Sequence, residues 1–480
     1  MLFERFEDKG LAHYSYAVGC PAEGKIAIVD PKRDIDTYIE FAEAQNLKIS
    51  HILETHIHAD YASGASELAQ QTGAELWVSA YDKGETFEVA FLHHDLQDGD
   101  SLTIGGVKIQ ALHTPGHTPE HLSFLVFDLN RSQETPMLML TGDFLFVGSL
   151  GRPDLLGKEA KRALAERLHD SVTQKLAGLP DSLEIHPAHG AGSMCGAGMS
   201  GRSMTTLGFE RIANPYLDST LSKETFLEMI LGTVPPFPDY YRRMKQVNSE
   251  GAKTLNGLPG LKAIEPDAFK TRVDSQNHIV IDLRDQLSFG GGHISGAFGI
   301  GAGENVSTWA SWLVPYDRPI LLVADDEGDI EPAIRSLIRV GLDDVVGFLK
   351  GGVQAWRSLG YPLQELPQIT PEQLHQRLQQ NETLNVLDVR EDGEWADGHI
   401  GQAVHVIGGE LEKNLEALPD PNQPLVVVCG SGYRSTAAAS VLLRHGYLHL
   451  MNMTEGMSAW NAAKLPTTTD DAAQQILQNT

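Results

Sequence analysis

Two histidines and an aspartate at alternate positions, His56, His58 and Asp60, constrain this chain more than any other feature of its sequence. They follow an apolar-edged run that spans residues 49–55. The three side chains cannot all be core residues, because burying an unpaired aspartate is costly. In an extended turn, however, neutral imidazoles and an ionised carboxylate can bind one cation together. The motif therefore predicts a metal site.

Three further segments make an accidental polar loop a poor explanation of this motif. Each places a histidine or an aspartate in a turn rich in glycine or proline, directly after an apolar run, where the end of a strand would present it. The segments are Thr114-Pro115-Gly116-His117-Thr118, Thr141-Gly142-Asp143 and His186-Pro187-Ala188-His189-Gly190. A lone pair of alternating histidines is common, but four such segments in this order favour a metal centre.

The order of the four segments resembles that of the metallo-β-lactamase fold, an αββα sandwich with its metal at one edge. The runs Gly-Asp-Phe-Leu-Phe-Val-Gly at 142–148 and Gly-Arg-Pro-Asp at 151–154 resemble the persulfide dioxygenase branch of that fold. We expect this domain, with a helical extension, to span residues 1–258. The resemblance implies oxidation of a low-molecular-weight thiol persulfide, such as that of glutathione, by O2 to sulfite and thiol.

The resemblance also implies roles for individual residues. One Fe(2+) per chain would be bound by His56, His117 and Asp143, a set of two imidazoles and one carboxylate that leaves positions open. Side chains that orient these ligands or hydrogen-bond to bound water are expected at His58, Asp60 and His189.

Two more residues are candidates for the chemistry of this domain. The Arg152 guanidinium is expected to hold the carboxylate of the substrate, although a salt bridge that closes its loop explains the residue equally well without the resemblance. Cys195 follows the His189 turn and is a candidate thiol relay, with an inert buried thiol as the alternative.

A zinc-dependent thioester hydrolase of the same fold, similar to the hydroxyacylglutathione hydrolases, is the main alternative. Those dinuclear enzymes carry a further histidine directly after the aspartate of the first motif. Tyr61 stands at that position, and a phenol with a pKa of about 10 is a poor neutral ligand. The substitution argues against a second metal. A non-catalytic sulfur-carrier or sensor scaffold is a third interpretation.

The rest of the chain contains a duplication. Asp-Leu-Arg at 282–284 and Gly-His-Ile at 292–294 return as Asp-Val-Arg at 388–390 and Gly-His-Ile at 398–400. The two copies are offset by 106 residues (388 − 282), which indicates a duplicated domain and not a short-period solenoid. Each copy alternates β-rich and helical runs, which predicts an α/β domain with a parallel sheet. The motifs resemble the rhodanese family, over residues 263–365 and 369–467.

The second copy carries a candidate sulfur-transfer site at Cys429. An apolar strand over 424–428 precedes it, and a glycine-rich loop that ends at Arg434 leads into a helix. Such a loop aims backbone N–H groups into one concavity, where a thiolate or persulfide anion is stabilised. The loop resembles that of active rhodaneses, with Cys429 as sulfur carrier and Arg434 completing the cradle, in exchange with sulfite or thiosulfate. The aligned residues of the first copy are Ala324 and Asp329, which predicts that this copy is inactive.

Composition restricts the remaining possibilities. The formal net charge of −27 argues against nucleic-acid or anionic-membrane partners. Three scattered cysteines do not form a disulfide framework, and no signal peptide is evident at the N-terminus, so we expect a cytoplasmic protein. We also expect a homo-oligomer.

Overall fold

The computed structural model describes residues 1–232 and 237–469. The chain divides into two compact units, one of which comprises Met1–Gly257 and Ile338–Gly341, and the other the remaining residues from Leu258 onward. Among the described residues, we find no helix whose length and hydropathy would suit a bilayer span.

The first unit is built on two mixed sheets and a short hairpin. The first sheet has the order β1-β2-β3-β4-β5-β6, the second β14-β13-β10-β9-β8-β7, and β11 pairs with β12. Its strands are β1 (Leu2–Asp8), β2 (His13–Cys20), β3 (Lys25–Val29), β4 (Lys48–Leu53), β5 (Glu75–Ser79), β6 (His94–Leu96), β7 (Ser101–Ile104), β8 (Val107–His113), β9 (Leu122–Asp128), β10 (Leu138–Gly142), β11 (Leu145–Phe146), β12 (Ser149–Leu150), β13 (Glu184–Pro187) and β14 (Thr205–Thr206).

Six helices of the described residues accompany the sheets. They are α1 (Asp36–Ala44), α2 (Ala65–Thr72), α3 (Lys158–Asp170), α4 (Leu207–Ala213), α5 (Lys223–Gly232) and α6 (Tyr240–Glu250). One apolar core, with Val18 and Phe124 at its centre, lies between the sheets. Helices α1 and α2 contribute to a second core and α3 and α5 to a third. The layers therefore run αββα, which confirms the predicted sandwich. Because strands β4, β8, β10 and β13 end near one edge, their following turns can meet there.

The second unit contains the two copies of the duplicated domain. The first comprises β15 (Ala263–Ile264), α7 (Pro266–Asp274), β16 (Ile279–Asp282), α8 (Gln286–Gly290), β17 (Phe298–Gly299), α9 (Val306–Leu313), β18 (Ile320–Val323), α10 (Ile330–Arg339), β19 (Val345–Leu349) and α11 (Gly352–Ser358). The second comprises β20 (Gln368–Ile369), α12 (Pro371–Gln379), β21 (Asn385–Asp388), α13 (Asp392–Ala396), β22 (Ala403–His405), β23 (Leu425–Val428), α14 (Tyr433–Arg444), β24 (Leu450–Met453) and α15 (Gly456–Ala462).

The sheets of the two copies have the same topology. Their orders are β15-β19-β18-β16-β17 and β20-β24-β23-β21-β22, and every pairing is parallel. This confirms the predicted pair of α/β domains with parallel sheets.

The repeated Asp-x-Arg motif is structural. In the first copy Arg284 donates from Nε and Nη2 to the Asp282 carboxylate and from Nη2 to the Gly292 carbonyl. In the second copy Arg390 makes the same bonds to Asp388 and to the Gly398 carbonyl. Each buried arginine thus links the end of a strand to the turn before the repeated histidine, which explains why both copies carry the motif.

Candidate metal centre and sulfur-transfer site

Three ligand atoms converge at the edge of the sandwich. The turns after β4, β8 and β10 bring the side chains of His56, His117 and Asp143 together, with the candidate ligand atoms within 4.8 Å of one another. Asp143 Oδ2 lies 3.8 Å from His56 Nε2 and 3.4 Å from His117 Nε2. All three atoms are buried and make no hydrogen bond to any described residue. Buried polar atoms without partners are rare in proteins, so this cluster is a candidate cation site.

Neighbouring groups fix the tautomers of both histidines. The His117 Nδ1–H donates to the Arg152 carbonyl at 2.9 Å, and a carbonyl can only accept. His56 Nδ1 lies 2.9 Å from Thr55 Oγ1, whose own proton goes to the Asp30 carboxylate. Each ring therefore carries its proton on Nδ1 and presents a lone pair at Nε2. Burial, reinforced by neighbouring positive charges, holds the pKa of both histidines well below the ordinary value, which favours this neutral form.

His189 orients the Asp143 carboxylate, a candidate ligand. Its Nδ1 lies 2.7 Å from Asp143 Oδ1, and its Nε2 lies 2.7 Å from Asp60 Oδ2. Burial opposes protonation of His189, but the two carboxylates outweigh it and raise the pKa of the ring well above the ordinary value. With Asp143 Oδ1 engaged in this way, Oδ2 is the oxygen that remains for a cation.

His58 turns away from the three convergent atoms. Its Nε2 lies 3.2 Å from Asp30 Oδ1 and 3.1 Å from Glu54 Oε2. Burial opposes protonation, but these carboxylates raise the pKa of His58 to about 10. A protonated imidazole offers no lone pair to a metal. The Tyr61 hydroxyl donates to the Asp30 carbonyl at 3.2 Å, so the residue in place of the additional histidine is also engaged.

Arg152 and Cys195 are both buried beside this cluster. Arg152 donates from Nε and Nη2 to the Asp154 carboxylate at 2.7 and 3.0 Å and from Nη1 to the Met194 carbonyl. Cys195 Sγ lies 3.9 Å from the Tyr241 hydroxyl, and burial, with the nearby Asp60 and Asp143 charges, raises its pKa well above the ordinary value. The Arg152 guanidinium is thus bonded to protein groups, which is the arrangement that the loop-closing interpretation describes. The raised pKa keeps the Cys195 thiol protonated.

The Cys429 loop has the strand–loop–helix geometry that its sequence predicts. Cys429 follows β23 directly, and α14 begins at Tyr433. The Gly432 N–H donates to Cys429 Sγ at 3.0 Å, and Gly432 has a φ of 97°, a backbone conformation that glycine adopts without strain. Cys429 is buried. The loop therefore aims an amide at the sulfur.

The Arg434 guanidinium lies beside this loop in a two-pronged pair with a carboxylate. Arg434 Nη1 and Nη2 donate to Glu394 Oε2 and Oε1 at 2.5 and 2.6 Å. These hydrogen bonds raise the pKa of Arg434 and hold the pKa of Glu394 below its usual range. The cation that we predicted for the cradle is thus present but paired.

The corresponding loop of the first copy differs in its chemistry. Ala324 follows β18 as Cys429 follows β23. Asp326 accepts the Gly328 N–H at 2.8 Å, so the turn is closed by a side chain and not by a sulfur.

Family models match both parts of the chain. Residues 8–189 match the metallo-β-lactamase superfamily, and residues 265–359 and 370–463 match the rhodanese-like domain. A hydroxyacylglutathione hydrolase from Haemophilus influenzae is 32% identical over 213 residues, which are 41% of this chain and 89% of that protein. The chain belongs to the metallo-β-lactamase superfamily. Its superfamily domain precedes two rhodanese-like domains.

Relatives of the superfamily domain have different activities. The mitochondrial persulfide dioxygenase of Bos taurus is 28% identical over 236 residues, covering 48% of this chain and 80% of that one. A solved structure titled metallo-β-lactamase, from Staphylococcus aureus, is 33% identical with a TM-score of 0.64 and covers 73% of this chain and 98% of its own. These proteins establish the fold, and their names include both a hydroxyacylglutathione hydrolase and a persulfide dioxygenase.

Four residues that the sequence did not single out complete the two sites. Asp30 and Glu54 hold His58, and Glu394 holds Arg434, each through a contact that the local sequence does not reveal. His121 accepts the Asp143 N–H at Nε2, at 3.0 Å, and its Nδ1 reaches Thr114 Oγ1 at 2.9 Å. His121 could have been predicted as part of the site, because it follows His117 by four residues in the same segment.

Proposed function

We propose that residues 1–258 form an iron-dependent persulfide dioxygenase, followed by an inactive rhodanese-like domain at 263–365 and an active rhodanese at 369–467. The first domain would convert RSSH, O2 and water into RSH and sulfurous acid, which ionises to sulfite. The last would pass sulfane sulfur through Cys429 to or from sulfite and thiosulfate.

One observation carries the iron assignment. Two imidazole lone pairs and one carboxylate oxygen, all buried and without hydrogen bonds to the described residues, point at a common centre. Two histidines and one carboxylate with open positions are the ligand set of non-haem Fe(II) oxygenases. When bound there, iron would supply the binding and activation of O2.

The remaining residues of the site would keep the centre mononuclear. His58 is protonated between Asp30 and Glu54, and His189 joins Asp60 to Asp143. Tyr61 adds no imidazole. A second divalent ion would have to displace the His189 bridge, which connects three buried side chains.

The sulfur-transfer step would take place at Cys429. Its thiolate attacks the terminal sulfur of a donor RSS⁻, forms a new S–S bond and releases RS⁻, so that the charge is conserved. The Gly432 N–H, 3.0 Å from Sγ, would stabilise the sulfur anion before and after the step.

A zinc thioester hydrolase is the second candidate, favoured by a specific observation. Asp60, His189 and Cys195 place their ligand atoms within 4.8 Å of one another, beside the first cluster. The similarity to a hydroxyacylglutathione hydrolase points the same way. Two metal ions per chain would need ligands of this kind.

Metal analysis of His117→Ala tests the proposal. Wild-type protein purified without chelators should contain about one iron per chain, and it should consume O2 with glutathione persulfide. Loss of one of three ligands should remove most of the iron and reduce O2 uptake by at least about a hundredfold. Inductively coupled plasma mass spectrometry and an oxygen electrode give the two readings.

Cys429→Ser is the matched control, because it removes a reactive group from the other unit. Its iron content and O2 uptake should equal those of the wild type, while sulfur transfer is lost, since a hydroxyl is a far weaker nucleophile than a thiolate. Two zinc ions per wild-type chain with thioesterase turnover would contradict the iron assignment.

A further inference from the structure

The pair formed by Glu394 and Arg434 lies at the exposed side of the Cys429 loop. Their side chains are 39% and 21% exposed, whereas Cys429 is fully buried. A Cβ built on Gly430 would lie 2.8 Å from Arg434 Nη2 and 3.5 Å from Glu394 Oε1. The pair therefore lies against the loop residue next to the sulfur, and an incoming donor would meet it first.

The two copies of the domain show which residues the fold itself requires. Both copies keep the buried Asp–Arg pair, the histidine that stacks on an aromatic ring, and the tryptophan whose Nε1–H donates to a proline carbonyl. Because these features are present both in the copy with a thiol and in the copy without one, we assign them to the stability of the fold.

A second group of residues is lost together in the first copy. The offset of 106 between His293 and His399 also relates Ser288 to Glu394, so the helix α8 carries a serine where α13 carries the carboxylate. The first copy has Ala324 for Cys429 and Asp329 for Arg434. Nucleophile, cation and carboxylate thus disappear as a set, although α8 folds without the carboxylate.

Charge indicates what the carboxylate does. A cradle with an unpaired arginine beside backbone amides is suited to a compact dianion such as thiosulfate. Glu394 cancels that positive charge, and Glu391 places a second carboxylate near Arg434. This cancellation weakens the electrostatic attraction between the loop and the donor. The attraction falls little for a donor with a single charge at its reacting sulfur and much more for a compact dianion.

We propose that Glu394 is a specificity-determining residue, which makes Cys429 prefer organic persulfides over thiosulfate as sulfur donors. The inference rests on the proposed sulfur transfer at Cys429 and names the donor class of that site. With an organic persulfide, Cys429 S⁻ forms a bond to the terminal sulfur and RS⁻ leaves. With thiosulfate, the same bond forms and sulfite leaves with both negative charges.

Glu394→Gln in the full-length protein tests this inference. The glutamine keeps an oxygen to accept the Glu391 N–H that caps α13, so the local fold is retained. The rate at which the Cys429 peptide gains one sulfur is followed by mass spectrometry, at varied concentrations of thiosulfate or of glutathione persulfide. The half-saturating thiosulfate concentration should fall about tenfold, and that of the persulfide should change less than about twofold. The difference should shrink at high ionic strength.

Asp392→Asn is the control, because it removes one charge from the same helix. Asp392 is largely exposed and lies 3.8 Å from His405 Nδ1 instead of pairing with Arg434. Both donors should react with this variant as with the wild type. An unchanged donor preference in Glu394→Gln, or an equal change in both variants, overturns the inference. If wild-type Cys429 gains sulfur from neither donor, the proposed sulfur transfer itself fails, and the inference with it.

Discussion

Single residues separate the two rhodanese-like domains, although their sheets have the same order. Cys429 carries a thiol that receives the Gly432 N–H. Ala324 has no thiol, and the turn that follows it is closed by the Asp326 carboxylate, which takes the Gly328 N–H. The first domain therefore lacks the nucleophile and the cation, and the N–H of its turn is already bonded to a carboxylate.

Restoring the thiol alone should not restore activity. Ala324→Cys, placed in a Cys429→Ser background, should stay inactive, because the acidic residues 325–329 repel an anionic donor and disfavour a thiolate. Adding Asp329→Arg supplies the missing cation and should recover a trace, on the order of 1% of wild-type turnover. A thiosulfate:cyanide sulfurtransferase assay measures both variants. Robust transfer by the Ala324→Cys variant would mean that the loop backbone suffices.

At the scale of secondary-structure elements, the geometry of the candidate metal centre depends on how tightly the turns pack after the strands. Gly151 follows β12, and a Cβ built there would lie 1.8 Å from the Asp143 carbonyl oxygen and 3.2 Å from His117 Cβ. The backbone at Asp143 thus lies so close to the backbone at Gly151 that no methyl group fits between them.

Gly151→Ala should therefore weaken metal binding. The clash is with backbone, which cannot move cheaply, so we expect a destabilisation of about 1–3 kcal/mol and a loss of more than about half of the bound metal. Metal content per chain and thermal unfolding measure the two effects. Gly178→Ala is the control, because a Cβ there would meet no described atom within 4 Å. Equal metal content in the two variants would show that the turn adapts.

At the scale of the whole molecule, stability in acid depends on buried neutral histidines. His293 of the second unit is 1% exposed and stacks on Phe289, and its Nδ1–H donates to the Phe289 carbonyl at 3.0 Å. Burial lowers the pKa of His293 to about 4. The folded state thus binds a proton less readily than the unfolded state, whose histidine titrates near 6.5.

This difference predicts a loss of stability as the pH falls. The contribution of neutral His293 is complete above pH 6.5 and is lost between pH 6.5 and about 4. This contribution amounts to at most about 3.5 kcal/mol, at ~1.4 kcal/mol per pKa unit over 2.5 units. Urea unfolding of wild type and His293→Gln at several pH values measures it. The free-energy gap between the two should narrow towards pH 4, and a constant gap would contradict the assignment.

The fold class and the duplication could be predicted from the sequence. Strand ends present their following turns at one edge of a sheet, so the order of the four turn motifs predicted that these turns meet. The choice of His56, His117 and Asp143 among the residues of those turns came from the family resemblance. The sequence also shows directly that the first copy has no thiol at the aligned position, because the residue there is Ala324.

The pairing of charged side chains, in contrast, follows from the three-dimensional fold. Glu394 reaches Arg434 from 40 positions away, and His58 contacts Asp30 from 28 positions away. Arg152 pairs with Asp154, although the same sequence would allow it to face a substrate. Such pairings depend on side-chain direction and on neighbours brought in by other strands, and neither local propensity nor periodicity contains that information.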